Sequence, residues 1–157
     1  MAAGKWKLYD QTKFQIGSGT FNFNAASTWK MALFVSTSNA NTLTLATATF
    51  ATLTGEVAAG NGYTAGGVAL TGQSYTNAAG VETFTIGNGV FTATGGSITA
   101  RFAVIYAATT LNGIVSPIVC VSLLDVTPAD VTVTAGNTLT IQINASGVFT
   151  VSGANVD

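Results

Sequence analysis

The sequence contains few of the side chains that carry out most protein chemistry. Its 157 residues include no histidine, one cysteine and two prolines, and only 7% are charged, where an average soluble domain has roughly 25%. Without histidine, the commonest general base and metal ligand is absent. A single cysteine excludes both an internal disulfide bond and a thiolate metal cluster. The composition therefore predicts no cofactor and indicates an uncharged module that belongs to an assembly, without naming an activity.

Net charge and hydropathy exclude further classes of partner. The formal net charge is −1 at pH 7, so no general electrostatic field attracts nucleic acid or an anionic membrane. The residues after Lys5 and Lys7 are too polar for the apolar part of a signal peptide. No apolar run approaches the roughly 18 residues of a spanning helix. We therefore expect neither a nucleic acid nor a membrane as a partner.

What the sequence has instead is a succession of short strand-like runs. Apolar residues make up 48% of the chain, which also has 18 glycines. Gly, Asn and Ser separate the runs about every ten residues, a spacing typical of sandwiches and barrels. We predict an all-β fold, an antiparallel and jelly-roll-like β-sandwich with at most one short helix. Residues 43–57 are the segment where one or two helical turns fit, although their threonines disfavour a helix.

Particular segments give more specific predictions. Residues 13–16 and 20–23 alternate polar and apolar side chains around Gly-Ser-Gly at 17–19, which predicts a hairpin. The continuous apolar run at 29–35 predicts a strand buried on both faces. The Asn-Gly pair at 112–113 predicts a tight turn.

The two most apolar stretches, 98–106 and 114–124, are expected at the centre of the sheets. No charged linker or shift of composition divides the chain. We therefore predict one β-sandwich domain over residues 13–152, preceded by an N-terminal arm at 1–12 and followed by a tail at 153–157.

The N-terminal segment is the one place where cations and aromatic side chains alternate. Lys5, Trp6, Lys7 and Tyr9 form this candidate interface. An aromatic residue between cations can stack on a nucleic-acid base, but the sequence has no second basic cluster. Contact with a neighbouring subunit is the preferred interpretation because Trp is favoured as an interface anchor. Ordinary packing on its own domain remains open as well.

Catalytic and metal sites are weakly supported. Cys120 lies in an apolar run without a histidine to activate it, so we interpret it as a core residue. Asp125 and Asp130 stand five residues apart around a turn and are too few for a good Ca²⁺ site, although calcium is left open. A hydrolase with paired carboxylates also stays open, since two carboxylates can meet after folding. The six candidates are Asp10, Glu56, Glu82, Asp125, Asp130 and Asp157.

Several motifs, taken in order, resemble small structural proteins of tailed-phage virions, of the head decoration or capsid cement type. None is diagnostic alone; their order and spacing carry the resemblance from residue 4 to about residue 152. They are Gly-Lys-Trp-Lys-Leu-Tyr (4–9), Lys-Met-Ala-Leu-Phe (30–34), Glu-Val (56–57), Gly-Tyr-Thr-Ala-Gly-Gly (62–67), Ile-Thr-Ala-Arg-Phe-Ala-Val-Ile-Tyr (98–106) and Asn-Ala-Ser-Gly-Val-Phe-Thr (144–150).

This resemblance implies a function without chemistry. It implies a β-sandwich that binds the outside of a phage capsid and stabilises it, with the major capsid protein as partner and a homo-oligomer, a dimer or trimer, as the binding unit. The protein would be made in the bacterial host cytoplasm and reside on the capsid surface of the virion. It implies no catalytic residue, no cofactor and no metal, so the protein is expected not to be an enzyme.

Two further expectations complete this view. Arg101 is the only arginine and lies inside an apolar run; we predict a structural ion pair with a carboxylate, Glu56 or Glu82 among the choices, because an unpaired charge there would be costly. The alternative function is a host-surface or carbohydrate-binding module of a phage fibre or tail. An exposed groove lined by aromatic residues would support it, the candidates being Trp6, Trp29, Tyr63 and Tyr75.

Overall fold

The chain folds into antiparallel strands with one short α-helix. A computed structural model describes residues 4–24, 28–45, 48–127 and 129–152. Within these ranges the helix is α1 (Asp10–Gly17), and 3-10 turns lie at Asn39–Asn41 and Phe50–Thr52. The strands are β1 (Lys7–Leu8), β2 (Trp29–Phe34), β3 (Val68–Leu70), β4 (Ser74–Ala78), β5 (Val81–Thr85), β6 (Gly89–Thr92), β7 (Ile98–Ala100), β8 (Phe102–Ala107), β9 (Thr110–Leu111), β10 (Ile114–Val115), β11 (Ile118–Leu123), β12 (Val131–Val133), β13 (Thr138–Ile141) and β14 (Phe149–Ser152).

The largest sheet, here the core sheet, has five strands in the order β1-β11-β8-β2-β3. Its neighbouring strands are antiparallel, with β8 at the centre between β11 and β2. β8 and β11 come from the two most apolar stretches of the sequence, which confirms their predicted central place. The expected strand at 29–35 is β2, and nearly all of it is buried.

Both faces of the core sheet are covered, which explains why its central strands are apolar throughout. Met31, Leu33 and Ile105 face one hydrophobic cluster, together with residues of β5, β6, β7, β12 and β13. Phe34 and Val104 face a second cluster, which the segment with the 3-10 turns covers. A sheet packed face to face against further antiparallel strands is a sandwich-like all-β fold, as predicted.

The second layer consists of small antiparallel sheets: β14-β5-β4, β13-β6 and β12-β7. A jelly roll divides its strands between two larger sheets, whereas here one five-stranded sheet faces these smaller ones. A separate hairpin, β9-β10, turns at Asn112 and Gly113, whose φ angles are +46° and +84°. Two successive positive φ angles are the mark of a type I′ turn, so the predicted tight turn is confirmed.

The hairpin predicted at residues 13–23 is wrong, because residues 13–17 belong to the helix α1 and residues 20–23 form no strand. The alternation of polar and apolar side chains misleads: Phe14 is 74% exposed, whereas Gln15 is 6% exposed and Thr12 is fully buried. Thr12 Oγ1 donates a hydrogen bond of 2.7 Å to the carbonyl of Ile118. The hydrogen bond of Thr12 to the core sheet and the packing of Ile16 against the first hydrophobic cluster therefore hold this helix in place.

The N-terminal boundary also differs from the prediction. Residues 4–12 of the predicted arm are part of the domain, because β1 pairs with β11 along Lys7–Val121 and Leu8–Cys120, and the helix follows directly. This pairing covers a strand edge of the core sheet that would otherwise be open. Residues 1–3 and the predicted tail, 153–157, lie outside the described residues.

The helical turns allowed at 43–57 reduce to the 3-10 turn Phe50–Thr52 in the described part of that segment. Membrane-spanning helices are also absent from the described ranges, where none reaches the required length and apolar character.

Candidate functional site

The N-terminal segment lies along the edge of the core sheet and presents its side chains to alternate faces. Lys5 and Lys7 are exposed, and Tyr9 on the same side is fully buried. Trp6 and Leu8 point the other way and pack partly against the first hydrophobic cluster. The alternation of strand side chains thus separates Trp6 from the lysines, so the cation–aromatic arrangement suggested for base stacking does not form on one face.

Tyr9 does not belong to an exposed interface. Its ring has no exposed surface, and its hydroxyl donates a hydrogen bond of 2.6 Å to the carbonyl of Ala40. Burial, followed by the nearby Cys120 thiol, raises the pKa of Tyr9 well above its usual value. The candidate interface is therefore corrected at this position, because Tyr9 anchors the segment to its own domain.

Trp6 lines a groove beside the core sheet, here called the Trp6 groove. Its volume is about 640 Å³, within the roughly 300–1,000 Å³ range of small-molecule sites. It continues along Lys5, Gln142 and Phe149 as a second cavity of about 460 Å³. The first part is lined by Gly4, Trp6, Ser122, Leu124, Val131, Leu139, Thr140, Ile141, Gln142, Ile143, Asn144 and Ala145.

The outward-facing side chains of the three small sheets in the second layer are uncharged, and together they are here called the threonine face. Thr83 of β5 stands directly between Thr76 of β4 and Thr150 of β14. Similar pairs recur on the other small sheets, including Thr99 and Thr132, whose hydroxyl oxygens are 2.9 Å apart. The members are Ser74, Thr76, Ala78, Val81, Thr83, Thr85, Val90, Thr92, Thr99, Thr132, Thr138, Thr140, Thr150 and Ser152.

No side chain of this threonine face carries a charge. This face was not identified from the sequence, because its residues come from seven separate strands. The sequence pattern could have revealed it, because threonine at alternate positions of a strand whose other positions are apolar indicates a solvated sheet face.

Each described carboxylate has a partner in its own domain. Two of them form ion pairs, Asp10 with Lys13 and Asp130 with Arg101. The other three accept hydrogen bonds: Glu56 from Tyr63 and Gly66, Glu82 from Tyr75, and Asp125 from the Thr127 amide. Groups of three or more potential metal ligands do not occur among the described residues. Asp157 lies outside them. The carboxylates thus serve as structural hydrogen-bond acceptors.

Asp125 and Asp130, the two residues considered for a calcium site, make separate contacts. Asp125 Oδ1 accepts a 3.1 Å hydrogen bond from the amide of Thr127, two residues on, as in an Asx turn. Asp130 Oδ1 lies 2.7 Å from Arg101 Nε. Pro128, between them, lies outside the described residues.

Arg101 forms its ion pair with Asp130, and the two carboxylates that the sequence suggested are engaged elsewhere. The Arg101 side chain is 19% exposed and that of Asp130 is 38% exposed, so the pair lies at the surface of the domain. The residue interrupts the run between β7 and β8, and its amide donates a 2.7 Å bond to the carbonyl of Phe34. Its position at a break between strands explains how a charge fits into an apolar sequence.

Glu56 organises the Gly-Tyr-Thr-Ala-Gly-Gly segment at 62–67. Glu56 Oε1 accepts 2.7 Å and 2.5 Å hydrogen bonds from the Tyr63 hydroxyl and the Gly66 amide. The Tyr63 hydroxyl also accepts from the amide of Leu33, and the Tyr106 hydroxyl donates to the carbonyl of Gly66. These hydrogen bonds hold the glycine-rich segment against β2 and β8, so the segment has a structural role.

Burial changes the acidity of the groups in this region. The pKa of Tyr63 is raised above its usual value, mainly by burial and further by the hydrogen bond to Glu56, against an opposing contribution from the Leu33 amide. Burial, and then the charge of Glu56, raises the pKa of Tyr106 to about 12. Cys120 is fully buried, which raises the pKa of its thiol, so it is a core residue rather than a nucleophile.

The aromatic residues proposed for a glycan groove do not meet in one. Trp29 is 1% exposed and Tyr63 is 3% exposed, so both belong to the core. Tyr75 is partly buried against Phe23, with ring centroids 5.1 Å apart. Trp6 is the one candidate of the four that lines the Trp6 groove.

Comparison with protein-family models, with curated proteins and with solved structures gives no match to this chain.

Proposed function

We propose that this protein is a structural virion protein that binds the outer surface of a phage capsid and stabilises it. The partner is the major capsid protein, and the binding unit is a dimer or trimer of this chain. The proposal starts from the ordered motifs that resemble head decoration proteins. Those motifs include the segment at 62–67, which hydrogen-bonds to Glu56, and the central strand β8.

The observation that carries the proposal is the uncharged threonine face. Copies packed densely on a shell would accumulate repulsion if this face were charged. Threonine offers a methyl group and a hydroxyl, which suits a surface that contacts protein without ion pairs. Binding to the assembled shell alone would stabilise that state by mass action, and many identical sites joined to neighbours would add avidity.

The test mixes purified protein with capsid shells that lack it and measures binding and shell melting. Saturable binding that raises the melting temperature of the shells is expected. Because the threonine face is neutral, affinity should change little between about 50 and about 300 mM salt, although the Debye length falls from about 14 Å to about 6 Å over this range. Absence of binding to shells in every maturation state, or a steep loss of affinity with salt, would overturn the proposal.

Paired variants locate the contact. Thr76→Glu with Thr150→Glu places two charges on the threonine face, and Thr37→Glu with Thr44→Glu places two on exposed loop positions elsewhere. The first variant should bind shells at least about tenfold more weakly, since a charge buried without a partner is costly. The second has the same net charge and should bind as the parent does.

A further inference from the structure

We propose that the Trp6 groove takes up an extended, uncharged polypeptide segment of another protein, which adds as a β-strand to the unpaired edge of β13. This inference does not depend on the proposed capsid function, because it stands on the backbone edge of β13, whereas that proposal stands on the uncharged side chains of the threonine face, of which Thr140 is a member. Its basis is the hydrogen-bond register of two strands that border the groove.

The first border is the free edge of β13. The amide of Ala93 donates a 2.9 Å bond to the carbonyl of Asn137, and β13 continues antiparallel to β6 in the same register. In an antiparallel pair, alternate residues direct both backbone groups to the partner. Leu139 and Ile141 therefore bond to β6, while the N–H and C=O groups of Thr138 and Thr140 point away from it.

The open edge extends past the end of β13. Ile143 keeps the orientation of Ile141, because its amide donates a 2.9 Å bond to Asn88 Oδ1 beside β6. By the same alternation, the backbone groups of Gln142 point away from β6. Thr140 and Gln142 both line the groove. Their outward backbone groups have no strand to pair with in the described structure.

The second border is the N-terminal segment. Lys7 pairs with Val121, and the amide of Tyr9 donates a 3.2 Å bond to the carbonyl of Val119. Lys7 and Tyr9 therefore direct their backbone groups toward β11, and Trp6 lines the groove. The groove is thus bordered by the open edge of β13, whose unpaired backbone groups an added strand would satisfy, and by the N-terminal segment.

The lining of the groove defines the chemistry of the segment. None of the residues that line its first part is charged, so a charged side chain inserted there would lose its hydration without gaining a partner. Leu139 and Ile141 point inward, and Leu124 and Val131 are buried beside them. A segment with apolar residues at alternate positions and uncharged residues between them matches this surface.

The outer edge of β4 is capped by a side chain, in contrast to the open edge of β13. On the outer edge of β4, Asn24 Nδ2 donates to the Tyr75 carbonyl at 3.1 Å, and Asn24 Oδ1 accepts from the Tyr75 amide at 3.1 Å. One side-chain amide thus takes the place of a neighbouring strand. The groove-lining edge of β13 carries no such cap, proline or lysine, the usual protections of an exposed edge.

The first experiment measures amide hydrogen exchange by NMR in the isolated protein. The amides of Thr140 and Gln142 should exchange rapidly, and those of Leu139 and Ile141 should be protected by their bonds to β6. Protection of Thr140 and Gln142 in dilute protein, or protection that grows with protein concentration, would mean that the chain itself or a second copy occupies the groove. Either result overturns the proposal.

The second experiment selects binders from a displayed library of random 12-residue peptides and titrates the best of them. The selected peptides should alternate apolar and uncharged residues, and should protect the amides of Thr140 and Gln142. A selection that yields no binder, or yields charged peptides or peptides that leave both amides exchanging, would overturn the proposal. Maltohexaose serves as a glycan probe and should leave these amides unprotected; protection by it counts against a peptide site.

Edge variants then separate a backbone contact from a side-chain contact. Thr140→Pro removes the outward N–H without touching a bond to β6, and should weaken peptide binding at least about tenfold. Thr140→Val changes the same side chain but keeps the N–H, and should bind as the parent does. If Thr140→Pro does not fold, Gln142→Pro, beyond the end of β13, replaces it. Equal binding by a folded proline variant and by Thr140→Val would overturn strand addition.

Discussion

Gly67→Ala should cause severe loss of stability, whereas Gly72→Ala should cause a small one. The two glycines have nearly the same backbone, with φ angles of +74° and +71°. Their surroundings differ: a Cβ on Gly67 would lie 1.9 Å from the carbonyl oxygen of Met31, and a Cβ on Gly72 would meet nothing within 4 Å. The comparison therefore separates the strain of a positive φ from the close approach of two backbones.

The expected magnitudes follow from the contacts of the segment at 62–67. Alanine at a positive φ costs about 1–2 kcal/mol in either place. Relief of the Gly67 clash also requires the segment to move off β2, which endangers the hydrogen bonds of Tyr63, Gly66 and Tyr106 described above. At about 1 kcal/mol for each of these four bonds, the total loss reaches roughly 5–6 kcal/mol, comparable to the whole stability of a small domain.

Urea unfolding followed by tryptophan fluorescence measures this difference, since Trp29 is buried in the aromatic cluster. Gly72→Ala should unfold cooperatively at a slightly lower urea concentration than the parent. Gly67→Ala should be largely unfolded without urea or lose most of its free energy of unfolding. The reasoning would be refuted if the two variants had free energies of unfolding within about 0.5 kcal/mol of each other, the usual scatter for surface changes.

Three further predictions address other parts of the molecule. Asp130→Asn should lower the free energy of unfolding by about 1 kcal/mol or less in low-salt urea titrations, because its pair with Arg101 is partly exposed; a loss several times larger would contradict a surface pair. Stability should fall as the pH rises from about 10 to 12, because burial raises the pKa of Tyr75 and Tyr106 to about 12 in the folded state and the unfolded state then releases protons first. Tyr106→Phe should reduce this fall in stability at high pH, as measured by urea unfolding at a series of pH values. An unchanged dependence of the free energy of unfolding on pH would contradict the role given to Tyr106. The thiol of Cys120 should resist a thiol reagent in native buffer and react in denaturant, since it is fully buried; rapid native labelling would contradict this.

The central strands were predictable because their residues are buried on both faces. Apolar runs such as those of β2, β8 and β11 contain Lys30 and Ser122 but no alternating row of polar positions for a solvated face, so the sequence alone indicates their central place. The Asn112–Gly113 turn was predictable for a local reason, because both residues tolerate a positive φ.

The helix α1 escaped prediction because its buried side chains are polar. Its two buried residues, Thr12 and Gln15, are an alcohol and an amide, and Thr12 bonds to β11, more than a hundred residues later in the sequence. Long-range hydrogen bonds leave no periodic hydrophobic pattern. Phe14, the most apolar residue of its turn, is largely exposed.

The candidate site was predictable only in part, for a related reason. Trp6 was named in the candidate interface together with Lys5, Lys7 and Tyr9, and it does line a groove. The opposite wall of that groove comes from residues 139–145, and the threonine face comes from strands spread over half the chain. Which backbone edges remain unpaired depends on the strand register, and a single sequence does not specify that register.

The pairing of β1 with β11 has a consequence for how the chain reaches its native state. Ser122 Oγ bonds to the carbonyl of Gly4, and Thr12 Oγ1 bonds to the carbonyl of Ile118, across sequence separations of 118 and 106 residues. Closing such long loops costs conformational entropy before the contacts contribute any stability, which slows folding. During synthesis, residues 4–12 must therefore wait until β11 has been made before they can dock. The N-terminal segment is thus among the last parts of the described domain to reach its native position.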